Sequence, residues 1–308
     1  MSRARVLIVN PAAGGAPEAD EVLAAIRGKG GDVALHVTAA AGDARRFARD
    51  AVRAGATELW VAGGDGTIHE AVLGLRDAGD HRSTVLHPVP LGTGNDLARS
   101  LDIPLNWEEA IEALSGPART LELDVMEVEV DGDALVAVNA VIAGNGGRIG
   151  EVLDAEGKAW WGPLSYLRGA VEVALELEPV PVSIRIDDGP ARHERILNVV
   201  VANGRYAGHG VPIAPGARPD DGQLELVTMR EATLPQVLAM MPALLRGEDP
   251  EHEACRHERV RAVTIEADGE APIPVSVDGE NSEARHLRVA LSDEGLSVRV
   301  PHTEEEDA

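Results

Sequence analysis

The chain has 308 residues, a length that predicts two domains or one large one. It carries 52 acidic and 28 basic residues, a net charge of −24, which argues against nonspecific nucleic-acid binding because the phosphate backbone would be repelled. The single cysteine, Cys255, excludes an intrachain disulfide and favours a reducing, intracellular setting.

The first part of the chain alternates short apolar runs with segments of helical spacing. Strands are predicted at residues 5–10, 33–37, 58–62 and 85–90, and helices at 19–27, 43–53, 67–75 and from residue 95 onward. Because strand–helix–strand order builds parallel sheets, we predict a parallel sheet with helices on its faces.

Near residue 121 the pattern changes to short strands separated by Gly, Asp and Pro, which predicts a β-rich, sandwich-like domain. The predicted strands are 123–130, 135–143, 182–187, 197–202, 224–227, 260–267, 273–277, 286–291 and 296–300. Helices are predicted at 164–177 and 234–245. The longest apolar run, 237–245, is about half of a membrane span, and no signal peptide precedes the first strand, so a soluble or peripheral protein is expected.

A glycine-rich segment, GGDGT at residues 63–67, lies where a predicted strand ends and a helix begins. Glycine lets the backbone approach a phosphate closely, and a helix N-terminus offers unpaired N–H groups. Asp65 would lie at the carboxyl edge of the sheet, where ligands of open α/β sheets bind, and its carboxylate could hold Mg²⁺. The alternative is an ordinary strand-to-helix turn.

A second segment, PLGTGNDLAR at residues 90–99, again joins a strand to a helix. Capping of that helix by Thr93 or Asn95 is the simpler explanation. Two such loops on successive strand–helix units are harder to explain by capping, so we predict a phosphate cradle at one sheet edge. NPAAGG at residues 10–15 is by itself an ordinary turn pattern, and neither common nucleotide-binding loop follows the first strand.

Two acidic turn motifs lie in the second half. VDGE at residues 277–280 is most simply a hairpin turn, but Asp278 and Glu280 would share one face if the strand continued. Two such carboxylates would suit metal binding or proton abstraction. DDG at residues 220–222 is likewise a turn or a second cation site.

In order and spacing, VNPAAGG, GGDGTIHE, PLGTGNDLAR, APGARPDDG and VDGE resemble the diacylglycerol kinase catalytic-domain family, whose relatives include bacterial soluble lipid kinases and sphingosine kinases. The likeness extends from residue 6 to about residue 301. It implies an NAD-kinase-like α/β domain over residues 1–122, to which roughly 293–308 return. It also implies a β-sandwich-like domain over 123–292, with the active site in the cleft between the two.

The resemblance also implies the roles of individual residues. The implied ATP-site residues are Asn10, Gly64, Asp65, Gly66, Thr67, Gly92, Thr93, Asn95 and Asp96. The implied ligands of Mg²⁺ are Asp65, Asp96, Asp124 and, in a structural metal site, Asp221. The implied catalytic residues are Glu280 as general base, with Asp278 beside it, and Asp65.

The implied activity is transfer of the ATP γ-phosphoryl to a lipid hydroxyl, with diacylglycerol as acceptor and phosphatidic acid as product. A cytoplasmic protein in transient contact with the inner membrane face, and a homodimer, are expected with it. Another acceptor (a sphingoid lipid or NAD) and a nucleotide-binding regulator without catalysis are the alternatives.

A lipid acceptor requires an apolar entrance, for which several side chains are candidates, although packing in the core explains most of them equally well. The candidates are Leu164, Tyr166, Leu167, Met240, Met241, Leu244 and Leu245, together with Trp160 and Trp161. The two tryptophans are the strongest of these, because Trp favours membrane interfaces. The sequence YAGHG at residues 206–210 departs from the glycine-richer bacterial pattern, and His209 could alter the mouth of the cleft.

Overall fold

The computed structural model describes residues 4–79, 82–145, 178–208 and 210–302, and within the last range it leaves out some side chains of the helix at 234–245. Two compact units are found, one within Met1–Asp124 and Asp293–Ala308, the other within Val125–Ser292. The predicted helix at 164–177, both tryptophans at 160 and 161, and His209 lie outside the described residues, as do the side chains of Met241, Leu244 and Leu245.

The first unit contains a six-stranded sheet. Its strands are β1 (Arg5–Val9), β2 (Val33–Val37), β3 (Glu58–Gly63), β4 (Val85–Pro90), β5 (Ala118–Leu123) and β19 (Leu296–Pro301). They lie in the order β2-β1-β3-β4-β19-β5. The pairings among β1 to β4 are parallel, and β19 runs parallel to β4 and antiparallel to β5. The predicted α/β fold with a parallel sheet is confirmed.

Five helices accompany this sheet: α1 (Ala19–Gly28), α2 (Asp43–Arg53), α3 (Asp65–Ala78), α4 (Asp96–Ser100) and α5 (Trp107–Ser115). α2 packs on α3, and α1 contacts α5. The chain leaves β1 towards β2 on one side, whereas β3 and β4 lie on the other side. The strand order therefore reverses between β1 and β3, the position where open α/β sheets bind their ligands.

Burial explains why the strands of this sheet read as continuous apolar runs. All six residues of β3 are buried, as are four of the five in β1, because helices cover both faces of a parallel sheet. α1 contributes its apolar stripe of Val22, Leu23 and Ile26 to this core.

The second unit is β-rich. Its strands are β6 (Met126–Val130), β7 (Asp133–Ala137), β8 (Ala140–Gly144), β9 (Val180–Ile186), β10 (Arg192–Ala202), β11 (Tyr206–Ala207), β12 (Val211–Pro212), β13 (Leu224–Arg230), β14 (Cys255–Val260), β15 (Ala262–Ala267), β16 (Ile273–Val277), β17 (Glu280–Ala284) and β18 (His286–Leu291). One helix, α6 (Leu234–Leu245), follows β13.

Eleven of these strands form one continuous sheet, while β11 and β12 pair with each other. The main order is β17-β16-β8-β10-β9-β15-β18-β6-β7, and β13 pairs with β10 and β14. Alternate residues, such as Val182, Ile184, Val263 and Ile265, point into one shared apolar cluster. The predicted β-rich domain is confirmed, and a single curled sheet encloses its core.

The local structure differs from the predictions in elements that were omitted and in one strand that is divided. The sequence interpretation omitted α5, although Asn106 accepts a hydrogen bond from the Glu109 backbone N–H, a cap that the residue types could have indicated. It also omitted β5, β14 and β17, in which polar or charged residues interrupt the apolar ones, and the two-residue strands β11 and β12. The run at 135–143 is divided into β7 and β8, because the chain turns at Val138 and Asn139. No helix in the described part of the chain is long and apolar enough to cross a membrane.

Gly74→Ala is expected to lower the free energy of unfolding by about 1–3 kcal/mol, because a β-carbon at Gly74 would overlap the Arg45 carbonyl oxygen where α3 packs on α2. The matched control is Gly28→Ala in α1, where a β-carbon meets no atom within 4 Å and should be neutral or stabilising. Urea unfolding of both variants measures the difference. Equal losses at the two positions would contradict the close α2–α3 contact.

Candidate functional site

Two glycine-rich loops meet at the carboxyl edge of the parallel sheet. A β-carbon on Gly92 would lie 2.6 Å from the Gly64 Cα, and one on Gly64 would lie 3.2 Å from the Gly92 Cα. The Leu91 N–H also donates to the Gly63 carbonyl at 2.9 Å. The loops after β3 and β4 therefore touch through their backbones, and a side chain at Gly64 or Gly92 would force them apart.

Asn95 stabilises the second loop from inside. It has left-handed backbone angles (φ 53°, ψ 43°) and precedes α4. Its side-chain amide accepts from the Gly92 N–H at 2.9 Å and donates to the Gly92 carbonyl at 2.7 Å. Asn95 thus closes the PLGTGN loop on itself, and the expected side-chain cap on α4 is absent.

The Asp65 side chain, from the neighbouring loop, caps α4 instead. Its carboxylate accepts the Leu97 N–H of α4 at 3.2 Å, although Asp65 itself is the first residue of α3. The half-buried Asp65 has a pKa raised above the ordinary 3.8, first by burial and then by the charge of Asp96, against the opposing backbone hydrogen bonds. Asp96 is buried as well, at 7% exposure. Two crowded carboxylates of this kind fit a divalent cation, which would relieve their repulsion.

An open cavity of about 550 Å³ lies beside these loops. Its lining includes Asn10, Thr38, Gly64, Gly66, Thr67 and Glu70. The Asn10 amide donates to the Thr67 hydroxyl at 2.9 Å, and its carbonyl oxygen accepts the Ala12 N–H at 3.0 Å, so the loop after β1 is joined to α3. A β-carbon on Gly66 would meet no atom within 4 Å. Gly66 therefore leaves the backbone open to the cavity, and packing does not require glycine there.

The predicted ATP-site residues thus lie in one neighbourhood. Asn10, Gly64, Gly66, Thr67 and Gly92 line the cavity. Asp65, Asn95 and Asp96 lie in the loops that form its edge. Thr93 is exposed, and its hydroxyl would lie 3.4 Å from a β-carbon on Gly14.

Glu70 is a cavity residue that sequence interpretation missed. Its carboxylate accepts the Gly42 N–H at 2.9 Å and the Ala44 N–H at 3.2 Å, so it holds the start of α2. The available signal was its position at the end of the GGDGTIHE segment. Its role depends on a partner segment distant in sequence, which the motif alone does not reveal.

Two further metal ligands were predicted: Asp124, directly after β5, and Asp221, in the turn before β13. Asp124 is half-buried directly after β5 and has partners of its own. Asp221 forms an ion pair with Arg259 and accepts the Gln223 N–H at 3.1 Å. In this arrangement the Asp221 carboxylate is paired with the Arg259 guanidinium, and its predicted metal role stays a prediction. Among the described residues, no group of three or more His, Cys, Asp and Glu side chains could hold a metal ion.

The DGE segment forms a tight hairpin in the second unit. Asp278 and Gly279 both have positive φ (45° and 93°), and Val277 pairs with Glu280, which identifies a two-residue turn of the primed type. The chain reverses here, so the idea that Asp278 and Glu280 share one face of a continuing strand is wrong.

The Asp278 carboxylate anchors this hairpin. It accepts three backbone N–H groups, from Val138 at 2.7 Å, Asn139 at 3.0 Å and Ala140 at 2.9 Å. Glu280, at the start of β17, is exposed, and its carboxylate has no hydrogen bond or ion pair with any residue that the structure describes. The two acids therefore differ: Asp278 is held by the backbone, and Glu280 is available to an external group.

Comparison with known families gives two matches that cover most of the chain. Residues 4–128 match the diacylglycerol kinase catalytic domain. Residues 139–300 match the YegS C-terminal NAD kinase beta sandwich-like domain.

Relatives with the name "Probable lipid kinase YegS-like" match over the same span. The protein of Chromohalobacter salexigens is 30% identical over 96% of this chain and 92% of its own length. That of Pseudomonas aeruginosa strain PAO1 is 31% identical over 96% of this chain and 94% of its own. A crystal structure described as a diacylglycerol kinase from Bacillus anthracis str. Sterne has a TM-score of 0.74, with 22% identity over 97% of both chains, and so shares the fold.

Asp65→Asn is expected to stabilise the protein at neutral pH in the presence of a metal chelator. Because the folded-state pKa of Asp65 is raised, the native state binds its proton more tightly than the unfolded state, and the contribution of Asp65 to wild-type stability falls as pH rises above the ordinary value of 3.8. The uncharged variant avoids that loss, so its advantage in urea unfolding should be larger at about pH 7 than at about pH 4.

Asp43→Asn is the matched control with the opposite sign. Arg46 and the N–H groups of Ala39 and Ala40 lower the pKa of Asp43 to about 2, so its charge stabilises the native state at neutral pH. That variant should therefore be less stable than wild type at about pH 7, with the difference vanishing as pH falls through about 2. A loss of stability in both variants at neutral pH would contradict the assignment for Asp65.

Proposed function

We propose that this chain, which belongs to the YegS-like lipid kinases with a diacylglycerol kinase catalytic domain, transfers the γ-phosphoryl of ATP to the hydroxyl of diacylglycerol. The main support is the contact between the Gly64 and Gly92 loops beside an open cavity at the carboxyl edge of the sheet. Phosphoryl transfer depends chiefly on positioning and charge neutralisation, and this arrangement suits both.

The nucleotide phosphates bind, in this proposal, to backbone rather than to basic side chains. The Thr67 and Ile68 N–H groups donate to the Gly64 carbonyl, at 3.0 and 3.1 Å. The N–H groups of Asp65 and Gly66 precede them in the first turn of α3, where a helix offers them no intrahelical acceptor, and Gly66 keeps its backbone open to the cavity. Asn10 and Thr67 position the adjoining loop through their mutual hydrogen bond. Such a site recognises an anion without needing lysine or arginine, which matters in a chain of net charge −24.

The site as proposed requires Mg²⁺, which Asp65 and Asp96 would hold. Bound there, Mg²⁺ would supply charge neutralisation for the triphosphate. Mg²⁺ in kinases is commonly held by one or two carboxylates together with substrate phosphates, so two protein ligands suffice. Asp124 is proposed as a further member of this acidic network. Asp221 is proposed as a ligand of a separate structural metal site, where a cation would replace its ion pair with Arg259.

Glu280 is proposed as the general base that accepts the proton of the lipid hydroxyl. It is exposed and, among the described residues, free of hydrogen bonds and ion pairs. Asp278 then acts as a positioning residue, since its three backbone hydrogen bonds fix the hairpin that carries Glu280.

A lipid acceptor also implies a cytoplasmic protein that contacts the inner membrane face transiently. We propose a homodimer as its assembly.

The direct test is ATP consumption with Mg²⁺ in mixed micelles that contain diacylglycerol, compared with micelles alone. Acceptor-dependent turnover and a phosphatidic acid product are expected. Parallel reactions with a sphingoid base and with NAD test the alternative acceptors. Turnover only with NAD would replace the lipid-kinase proposal, and nucleotide binding without turnover on any acceptor would indicate a regulator.

Glu280→Gln should reduce kcat by about 100-fold or more while leaving nucleotide binding nearly unchanged, because the variant loses only the proton acceptor. Glu283→Gln is the matched control, since Glu283 is exposed on the same strand, β17, three residues further along. Steady-state kinetics and nucleotide titration measure both effects. Wild-type turnover in Glu280→Gln would remove Glu280 from the mechanism.

A further inference from the structure

A row of polar side chains crosses three neighbouring strands on the outer face of the second unit's sheet. Thr264 on β15 pairs with Arg185 on β9 and with Arg288 on β18. The residues before and after Thr264 on its strand, Val263 and Ile265, are buried in the core. Because side chains alternate between the faces of a strand, Arg185, Thr264 and Arg288 all point away from that core.

The two arginines are unusual for this acidic chain. Both are exposed, and neither guanidinium has an ion pair or hydrogen bond among the residues that the structure describes. Other arginines of the same unit are paired: Arg192 makes two hydrogen bonds with Glu258 at 2.9 and 2.8 Å, and Arg195 binds Glu231 at 2.8 Å. Within the described residues, the positive charges of Arg185 and Arg288 are therefore not neutralised by an ion pair with a carboxylate.

The acids near this row make no ion pair with Arg185 or Arg288 among the described residues, and they include Glu266, which is exposed two residues from Thr264 on β15. Asp187 accepts the backbone N–H groups of Arg261 and Ala262 at 3.1 and 2.9 Å. Glu129 lies opposite Arg288 in the sheet, but its carboxylate is 4.0 Å from the His286 ring nitrogen and forms no ion pair with Arg288 within the described residues. Asp188, at the rim, likewise makes no ion pair with either arginine in that part of the chain.

These arginines border a concavity of about 630 Å³. The turn between β9 and β10, which includes Gly189 and Pro190, forms one wall, and Arg261 contributes a third guanidinium. Arg261 is already oriented, because it donates to the Gly222 carbonyl at 3.3 Å. The backbones of β9 and β18 are separated by one intervening strand, roughly 10 Å, so two arginine side chains can converge on one group above Thr264.

We propose that Arg185 and Arg288 bind a phosphate group in this concavity, with the Thr264 hydroxyl as a further donor. Guanidinium groups recognise phosphate through paired N–H donors, and two of them offset its double charge. The ligand class is a phosphate monoester, either free in solution or exposed as a lipid headgroup. The site is independent of the proposed phosphoryl transfer, since none of its residues has a role there.

The test uses three forms of the full chain: wild type, Arg185→Gln/Arg288→Gln, and Arg49→Gln/Arg246→Gln. The last is a charge-matched control, because Arg49 and Arg246 are partly or fully exposed and each pairs with an acid close in sequence. Calorimetric titrations at low salt use inorganic phosphate and glycerol 3-phosphate. Sedimentation compares phosphatidylcholine vesicles with and without phosphatidic acid.

Loss of both charge-assisted donors should weaken phosphate binding by roughly tenfold or more in Arg185→Gln/Arg288→Gln, with the control unchanged. Any phosphate bound by the glycine-rich loops of the first unit persists in that variant, so the lost component belongs to this site. Weakened binding of the soluble probes indicates a free ligand, and weakened binding confined to phosphatidic acid vesicles indicates a lipid headgroup. Equal binding by all three proteins, equal losses in both variants, or no binding by wild type overturns the proposal.

Discussion

The contact between Gly64 and Gly92 is the constraint on which the rest of the candidate site depends. A β-carbon on Gly92 would lie 2.6 Å from the Gly64 Cα, so a side chain there requires the two loops to separate, and one on Gly64 would lie in a tight contact of 3.2 Å with the Gly92 Cα. Asn95 closes its own loop around Gly92, and Asp65 reaches across to the Leu97 N–H. These closely packed backbones lie at the open edge of the cavity, where a β-carbon on Gly66 would meet no atom within 4 Å.

An acidic protein repels an anionic nucleotide, so a nucleotide site in such a protein needs a local source of positive potential. In the proposed site, backbone N–H groups bind the phosphates and the carboxylates bind the cation. Backbone N–H groups would face the phosphates, while Asp65, whose pKa is raised first by burial and then by the charge of Asp96, lies close to that second carboxylate. That crowding destabilises the protein without a cation and favours binding of one. A loss of stability from crowded charges is a common property of binding sites.

The sequence was sufficient to predict the alternation of strands and helices in the first unit and the positions of the two glycine-rich loops. Both depend on local signals, namely glycine and apolar periodicity. It did not indicate what Asp278 does: three backbone N–H groups far away in sequence, from Val138 to Ala140, determine that role. The same limit applies to Asp221, which lies in a turn and whose partner Arg259 lies on β14, 38 residues further along the chain. Long-range pairing of this kind has no periodic signature, and neither has the Arg185–Thr264–Arg288 row.

The most direct test of the central claim is amide hydrogen exchange of the full chain with and without a nonhydrolysable ATP analogue and Mg²⁺. The account predicts slowed exchange in the peptides that contain residues 64–68 and 92–97, where backbone N–H groups would contact the phosphates or be held by the closed loops. Unchanged exchange in both segments at a saturating concentration of the analogue, with protection elsewhere in the chain, would contradict it.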